Sequence, residues 1–260
     1  MGKRKAQRRK ALRRCANRDE QFSYIAEWIG YYELQGNPVI SVDTKKKENL
    51  GSLYREGKVY VQFGQELVRW DHDFSYLSEG VIVPHGIYDK FLNTAYVNIG
   101  VSKETSQFAC DSIKRWWNFR GRYDWPSSNS ILMLVDCGGS NSCRSHRFKE
   151  DLQNLVDAIK VEIRVAHYPP YCSKWNYIEH RVFPHITRAL EGVVFEDYET
   201  FKALLETTTT AKGLNVRANV IRKEYEIGRK ASEEFFEEMP MYYDEYLPEW
   251  NYFSIPRKRF

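Results

Sequence analysis

Val39-Ile40-Ser41-Val42-Asp43 is a short apolar run that closes on a carboxylate. A second run, Ile131-Leu132-Met133-Leu134-Val135-Asp136, closes in the same way. Short apolar runs bounded by turn signals predict buried strands, so both aspartates are expected at strand ends. A third acid, Glu179, lies in a helical pattern that begins after Ser173. Two acids at strand ends and one on a later helix indicate a site that holds two divalent metals for phosphodiester chemistry.

The pattern around these acids changes from a run of strands to alternating strands and helices. Alternation predicts parallel strands covered by helices, whereas the opening strands indicate a meander. This order is typical of an α/β, ribonuclease-H-like mixed sheet flanked by helices. The predicted strands are Val39–Asp43, Val81–Tyr88, Ala95–Val101, Ile131–Asp136 and Val161–His167, and the predicted helices are Glu20–Leu34, Thr105–Arg120, one containing Phe148 to Ile159, and the Glu179 helix.

Three parts follow from this organisation. Residues 1–20 form a basic N-terminal arm, and residues 21–192 form the ribonuclease-H-like catalytic domain, with an insertion at 44–78. Residues 193–260 form a C-terminal extension packed on the core, with a helix near Tyr198–Glu206 and a strand at Asn215–Ile221.

The charge of the chain is unevenly distributed. The net charge is +4 over 260 residues, but the arm carries +7 and the remainder −3. A dense basic arm is a common nucleic-acid tether, because each neutralised phosphate releases counterions; a solvated leader, or the frayed end of a helix, is the alternative. No apolar stretch reaches the roughly 20 residues that span a bilayer. We therefore expect a nucleic acid as a partner, and no membrane.

The five cysteines do not suggest a disulfide framework. An odd number without regular spacing favours an intracellular, reducing location and cysteines that act as core residues. Zinc ligation by Cys137, Cys143 and Cys172 with His146 or His167 is the competing hypothesis. The absence of a Cys-x-x-Cys pair makes it the weaker one.

Glu179 shares or borders the apolar face of its helix, which runs Trp175, Ile178, Val182, Phe183, Ile186, Leu190. A carboxylate at a core-facing edge costs several kcal/mol unless it is paired. A metal ion would pair it, and so would a salt bridge to Arg181, Arg188 or another arginine. Trp116, Trp117, Trp175 and Tyr177 are expected in the core rather than as base-stacking platforms, because of their helical spacing.

Both aspartates also allow plainer interpretations. Asp136 precedes Gly138-Gly139, where an ordinary turn or a phosphate-binding glycine loop would serve, although the full nucleotide fingerprints are absent. Asp43 precedes Lys45, Lys46 and Lys47, and could be a turn residue before a solvated charge run. The order of the three acids along the predicted fold favours the metal site.

Several motifs together resemble the bacterial DDE transposases of the ISAzo insertion-sequence group, from about Asn17 to the C-terminus. The matching segments are Ile40–Glu48, Pro84–Asp89, Asp136–Asn141, His167–Pro170, Ser173–Arg181, the Thr207–Thr210 run with Gly213-Leu214, and Trp250-Asn251-Tyr252.

The resemblance implies a transposase catalytic core with Asp43, Asp136 and Glu179 as its acid triad. It implies two Mg²⁺ ions, with Mn²⁺ as a substitute, and cleavage of transposon ends followed by joining of 3′-hydroxyls to target DNA. The phosphate-positioning residues would be Lys45, Lys46, Lys47, Lys174 and Arg181. A homo-oligomer and a cytoplasmic, nucleoid-associated location are the corresponding expectations.

Two alternative functions remain open at this point. One is a metal-dependent nuclease of the same fold that hydrolyses without joining, and the other is an inactive DNA-binding remnant. Similar transposases carry a helix-turn-helix region ahead of the core. The sequence is therefore expected to be a catalytic-domain fragment, a shortened copy or one part of a split reading frame.

Overall fold

The computed structural model describes residues 16–54, 56–57, 78–170, 172 and 175–257. Its centre is a mixed β-sheet. The strands are short, mostly apolar runs that turns, loops or helices connect. The described strands are β1 (Val39–Thr44), β2 (Glu48–Leu50), β3 (Gly80–Asp89), β4 (Thr94–Gly100), β5 (Ser130–Asp136), β6 (Glu162–Tyr168), β7 (Asn215–Ile221), β8 (Tyr242–Tyr243) and β9 (Asn251–Ser254).

The strand order is β7-β4-β3-β1-β5-β6-β9-β8, and β2 pairs separately with β3. The first large strands β1, β3 and β4 form an antiparallel meander, whereas β5 and β6 continue the sheet parallel to β1. Parallel neighbours require crossovers, and the helices supply them. The predicted ribonuclease-H-like mixed sheet is confirmed.

Helices cover both faces of this sheet. One face packs on the helices that follow β4 and β5, and the other packs on the first helix and on those that follow β6. The described α-helices are α1 (Arg18–Gln35), α2 (Ser106–Trp116), α3 (Arg122–Asp124), α4 (His146–Ile159), α5 (Tyr177–Arg181), α6 (Phe183–Leu190), α7 (Tyr198–Glu206) and α8 (Glu233–Glu238).

Alternation along β5 decides which face carries each residue at its end. Val135 packs with α2 and α4, whereas Leu134 packs with α1 on the other face. Successive side chains of a strand point to opposite faces. Asp136 therefore lies on the face covered by α1, α5 and α6.

The C-terminal residues are part of the sheet as well as of its covering. β7 pairs in parallel with β4 at one side, and β9 pairs with β6 at the other. The predicted helix Tyr198–Glu206 and strand Asn215–Ile221 are confirmed. Most of the arm (residues 1–15) and most of the 44–78 insertion (residues 55 and 58–77) lie outside the described residues.

Three details of the helices differ from the sequence prediction. The Glu179 helix is two helices, which meet at Val182, because Pro184 lies in the first turn of the second one and favours a helix start there. The helix predicted to Arg120 ends as an α-helix at Trp116 and continues as a π-helical turn. Trp175 is 51% exposed and packs edge-on against Phe22, so its assignment to the core was wrong.

The cysteines also depart from expectation. Cys137 and Cys143 form a disulfide across a six-residue separation, whereas Cys110 and Cys172 are free and buried. His167 is buried, with one ring nitrogen 3.1 Å from the Asp136 carbonyl oxygen and the other 2.9 Å from the Tyr252 hydroxyl. These partners leave neither ring nitrogen for zinc.

Over the part of the chain that the structure describes, no helix is long and apolar enough to cross a bilayer.

Candidate active site

Asp43 and Asp136 leave the sheet side by side. β1 and β5 run parallel, with Val42 opposite Val135 as the last pair in register, and each aspartate is the next residue on its strand. Both are on the same face, because Val42 and Val135 share the opposite one. The Thr44 amide donates a hydrogen bond of 2.8 Å to the Asp43 carboxylate.

Glu179 reaches this edge from α5. Its neighbour Ile178 is fully buried against Gly86, the residue paired with Asp43 across β1 and β3. A Cβ atom at Gly86 would lie 2.6 Å from Ile178 Cδ1, so glycine is what permits the helix to sit so close to the strand. The Glu179 carboxyl is thereby within hydrogen-bonding reach of Asp43.

Burial and crowding strongly perturb the two aspartates. Burial, followed by the charges of Asp136 and Glu179, raises the pKa of Asp43 to about 8. Burial and the charge of Glu179 raise the pKa of Asp136 to about 6. Like charges that share a low-dielectric site resist simultaneous ionisation. A protonated Asp43 can donate to Glu179, and without a cation the site therefore holds protons near neutral pH.

A buried amide fixes the geometry of the acids. Asn176 is fully buried just before α5, and its side chain accepts a short hydrogen bond from Ser41 on β1. Its Nδ2 donates to the Val42 carbonyl at 3.4 Å and to the Asp136 carboxylate at 3.5 Å. Ser41 in turn accepts from the Ile178 amide at 2.9 Å. The first turn of the Glu179 helix is thus tied to both aspartate strands.

Replacing Asn176 by alanine is expected to destabilise the fold by about 2–3 kcal/mol, because it strands the buried groups that the amide satisfies. Urea denaturation monitored by tryptophan fluorescence measures this loss. Asn219→Ala is the matched control, since that amide makes only long contacts of 3.4–3.5 Å at a partly exposed position. Equal losses in the two variants would remove the special role of Asn176.

A cleft of about 1050 Å³ opens beside the aspartates. Asp43 and Asp136 line it together with Glu104, whose carboxylate is 3.4 Å from Lys47 Nζ. Glu104 was not among the predicted site residues, because it lies in the loop after β4 and belongs to no periodic pattern. Glu104 reaches this edge only because segments far apart in the sequence pack together. Such packing leaves no pattern in the residues around Glu104.

The basic residues proposed to hold phosphates lie in different environments. Lys45 is buried and forms an ion pair of 3.0 Å with Glu48, whereas Lys46 and Arg181 are exposed. Lys47 is half exposed. Lys174 lies outside the described residues.

Glu179 forms no salt bridge among the described residues, so pairing with Arg181 or Arg188 does not account for its position. Its negative charge contributes to the raised pKa values of both Asp43 and Asp136. The three acids therefore meet on one face of the sheet, as the sequence predicted, and their role as metal ligands remains a prediction.

Comparisons with known proteins give one family match and several structural similarities. The family described as "Rhodopirellula transposase DDE domain" matches residues 2–256. Among solved structures, "Mos1 transposase paired-end complex with left transposon end" is similar at a TM-score of 0.49 and 16% identity, over 80% of this chain and 59% of that one. "Crystal structure of the Mos1 Strand Transfer Complex" is similar at 0.49 and 14%, over 79% and 58%. The chain spans about three fifths of the length of these structures.

No curated protein sequence matches the chain. At their identities and TM-scores the structural similarities assign no activity. The mixed sheet and the acids at neighbouring strand ends define an α/β protein of the ribonuclease-H-like class. With nearly its whole length matched, the chain belongs to the transposase DDE-domain family.

Proposed function

We propose that Asp43, Asp136 and Glu179 hold two Mg²⁺ ions, with Mn²⁺ as a substitute, and that the domain cleaves DNA and joins the 3′-hydroxyl ends to a target. The observation that carries this proposal is the meeting of three carboxyl groups at one sheet edge in a chain of this family. The substrates would be transposon ends and target DNA. Pairing of two ends would involve a homo-oligomer in the nucleoid region of the cytoplasm.

The donor set suits hard divalent cations. Carboxylate oxygens are the ligands that Mg²⁺ prefers. Burial and mutual repulsion destabilise the ionised forms of the acids, and a bound cation would offset that cost. Among the described residues, no three His, Cys, Asp or Glu side chains surround one ion position. Mg²⁺ commonly uses one or two carboxylates and completes its shell with water and substrate phosphates, so pairs of these acids suffice.

Each part of the site has a distinct task in this proposal. Asp43 and Asp136 are fixed by the sheet, and Asn176 holds Asp136 and the Glu179 helix in register. The acids must release their protons before they take cations. The bound ions would activate the attacking water or hydroxyl and stabilise the leaving oxygen. Exposed Lys46 and Arg181, with Lys174, would position phosphates without reading bases.

A Mg²⁺-dependent nicking assay on duplex DNA that carries the element's ends tests the proposal. Strand-transfer products, detected as covalent joining of a labelled end to a plasmid, distinguish a transposase from a nuclease of the same fold. We expect both products with Mg²⁺ or Mn²⁺ and neither with EDTA. Nicking without joining would favour the nuclease.

The basic arm is expected to dominate non-specific DNA binding. Deleting residues 2–14 removes eight Lys or Arg and stops short of α1, so thermal stability should not change. Each lost phosphate contact lowers the slope of log K against log salt by about 0.9, and the slope should fall by several units. Fluorescence anisotropy over a salt series measures it. An unchanged slope would remove the arm from the binding surface.

A further inference from the structure

We call the cleft of about 1050 Å³ beside Asp43 and Asp136 the acid cleft. A second cleft, of about 830 Å³, shares none of its described lining residues with the acid cleft. Among the described residues, no Asp or Glu lines this second cleft. Its charged and titratable lining consists of Lys90, His180, Arg181, His185, Arg188 and Lys212. Of these, His180, Arg181, Arg188 and Lys212 are exposed. We call this surface the basic cleft.

The walls of the basic cleft are held in place by hydrogen bonds. The Asn93 side chain donates to the Lys212 carbonyl at 2.9 Å and accepts from the Tyr88 hydroxyl at 3.0 Å. The loop that ends at Lys212 is closed by a hydrogen bond of 2.9 Å from the Gly213 amide to the Thr210 carbonyl. The cations are therefore presented from connected elements: the β3–β4 turn, α5, α6 and the loop before β7.

The four Lys and Arg side chains of the basic cleft form no ion pair among the described residues. Buried or half-buried arginines elsewhere behave differently, since Arg147 contacts Glu150 and Asp151, and Arg164 contacts Asp244. Concentrated positive charge without local compensation raises the potential of a cleft and attracts polyanions. Lys90 Nζ lies 4.7 Å from the centroid of the Phe91 ring and 5.7 Å from that of Tyr177, but ion pairing does not account for the cluster.

The acid cleft makes a separate basic surface useful. Its described lining includes two basic residues, Arg144 and Lys149, and four carboxylates: Asp43, Glu104, Asp136 and Glu249. A phosphate backbone is repelled there until cations are bound, so other surfaces must supply the attraction. α5 connects the two regions, because Glu179 faces Asp43 while His180 and Arg181 line the basic cleft.

We propose that the basic cleft binds the phosphate backbone of duplex DNA, at a stretch different from the one that meets the acids. This rests on the proposed function for its choice of polyanion. Arg188, Lys212 and Lys90 contact phosphates of this stretch, and Tyr88 and Tyr177 complete the lining. Arg181, two residues after Glu179 on α5, keeps the role that the proposed function gives it. The contacts are to the backbone and carry no sequence preference.

The test compares Arg188→Gln/Lys212→Gln with the unaltered full-length chain. Binding of a 20-base-pair mixed-sequence duplex is measured by fluorescence anisotropy in EDTA, so that cleavage cannot contribute. Losing two phosphate contacts should weaken binding about tenfold or more near 0.1 M salt and lower the salt slope by about 2. Lys114→Gln/Lys160→Gln, on exposed positions outside both clefts, is the matched control.

Three outcomes decide the proposal. Weakened DNA binding with a reduced salt slope in the cleft variant, and not in the control, supports the basic-cleft proposal. A lack of Mg²⁺-dependent nicking by the unaltered protein would count against the proposed function alone and would leave that support in place. Equal binding by the cleft variant and the unaltered chain overturns the basic-cleft proposal. A preference of the unaltered chain for polyglutamate over duplex at equal charge concentration, lost in the cleft variant, also overturns it and assigns the cleft to an acidic protein.

Discussion

Replacing Glu179 by glutamine is expected to lower Mg²⁺-dependent nicking and joining together, by at least about 100-fold, while the domain stays folded. Glutamine keeps the shape of the side chain and removes the negative charge that a divalent cation requires. Both steps should fall in parallel, because one site serves both. Gel assays for nicked and joined products, with a melting curve on the same preparation, measure the two effects.

The expected effect of Glu179→Gln on stability has a clear physical basis. If Glu179 neutralised a buried arginine, its replacement would strand a cation at a cost of about 3–5 kcal/mol. Among the described residues Glu179 has no such ion pair, and its neighbours are Asp43 and Asp136. Removing one of three crowded acids should therefore leave the melting temperature unchanged or higher.

Glu191→Gln is the matched control, since this exposed residue lies at the end of α6 and makes the same chemical change. Its activity should equal that of the unaltered chain. A large loss of stability in Glu179→Gln, with activity retained in the folded fraction, would show that Glu179 is structural and not catalytic.

The position of the aspartates could be predicted because the information is local. An apolar run of five or six residues that ends in a carboxylate specifies a buried strand with an acid at its exit, and β1 and β5 fulfil that expectation. The parallel pairing of β1 with β5, which aligns Asp43 with Asp136, requires a crossover, and α2 supplies it after the antiparallel meander.

The packing that places Glu179 beside Asp43 could not be predicted, because it depends on contacts between distant segments. Gly86 permits the close approach of α5, but only the antiparallel pairing with Asp43 reveals why that position needs glycine. The role of Asn176 likewise depends on its hydrogen bonds to Ser41 and Asp136, which nothing in the local sequence indicates. The break at Val182 did have a signal, since Pro184 favours the first turn of a new helix.

The metal-free protein is expected to lose stability as the pH rises from about 4 to about 8. The pKa of Asp43 is raised to about 8 and that of Asp136 to about 6, above the value of roughly 3.9 for an unfolded aspartate. Between these values the folded state binds more protons than the unfolded state. Stability is therefore full below about pH 4 with respect to these groups and declines as the pH passes the folded-state values.

The size of this decline should be on the order of a few kcal/mol, since each unit of pKa shift corresponds to about 1.4 kcal/mol. Urea denaturation in EDTA at intervals from pH 5 to pH 8.5 measures it. Asp43→Asn carries no titrating proton and should flatten most of the dependence, whereas Asp197→Asn, at an exposed helix cap with a lowered pKa, should not. A dependence that is equally steep in Asp43→Asn would show that other groups cause it.

Adding Mg²⁺ should reverse the trend, because cations replace the protons and bind best where the acids are ionised. The rise in melting temperature on adding a fixed excess of Mg²⁺ is expected to be larger at pH 8 than at pH 6, since at pH 6 binding must displace protons from Asp43 and part of Asp136. Asp43→Asn should show little stabilisation at either pH. An equal Mg²⁺ effect at both pH values in the unaltered chain would place the ions away from these carboxylates.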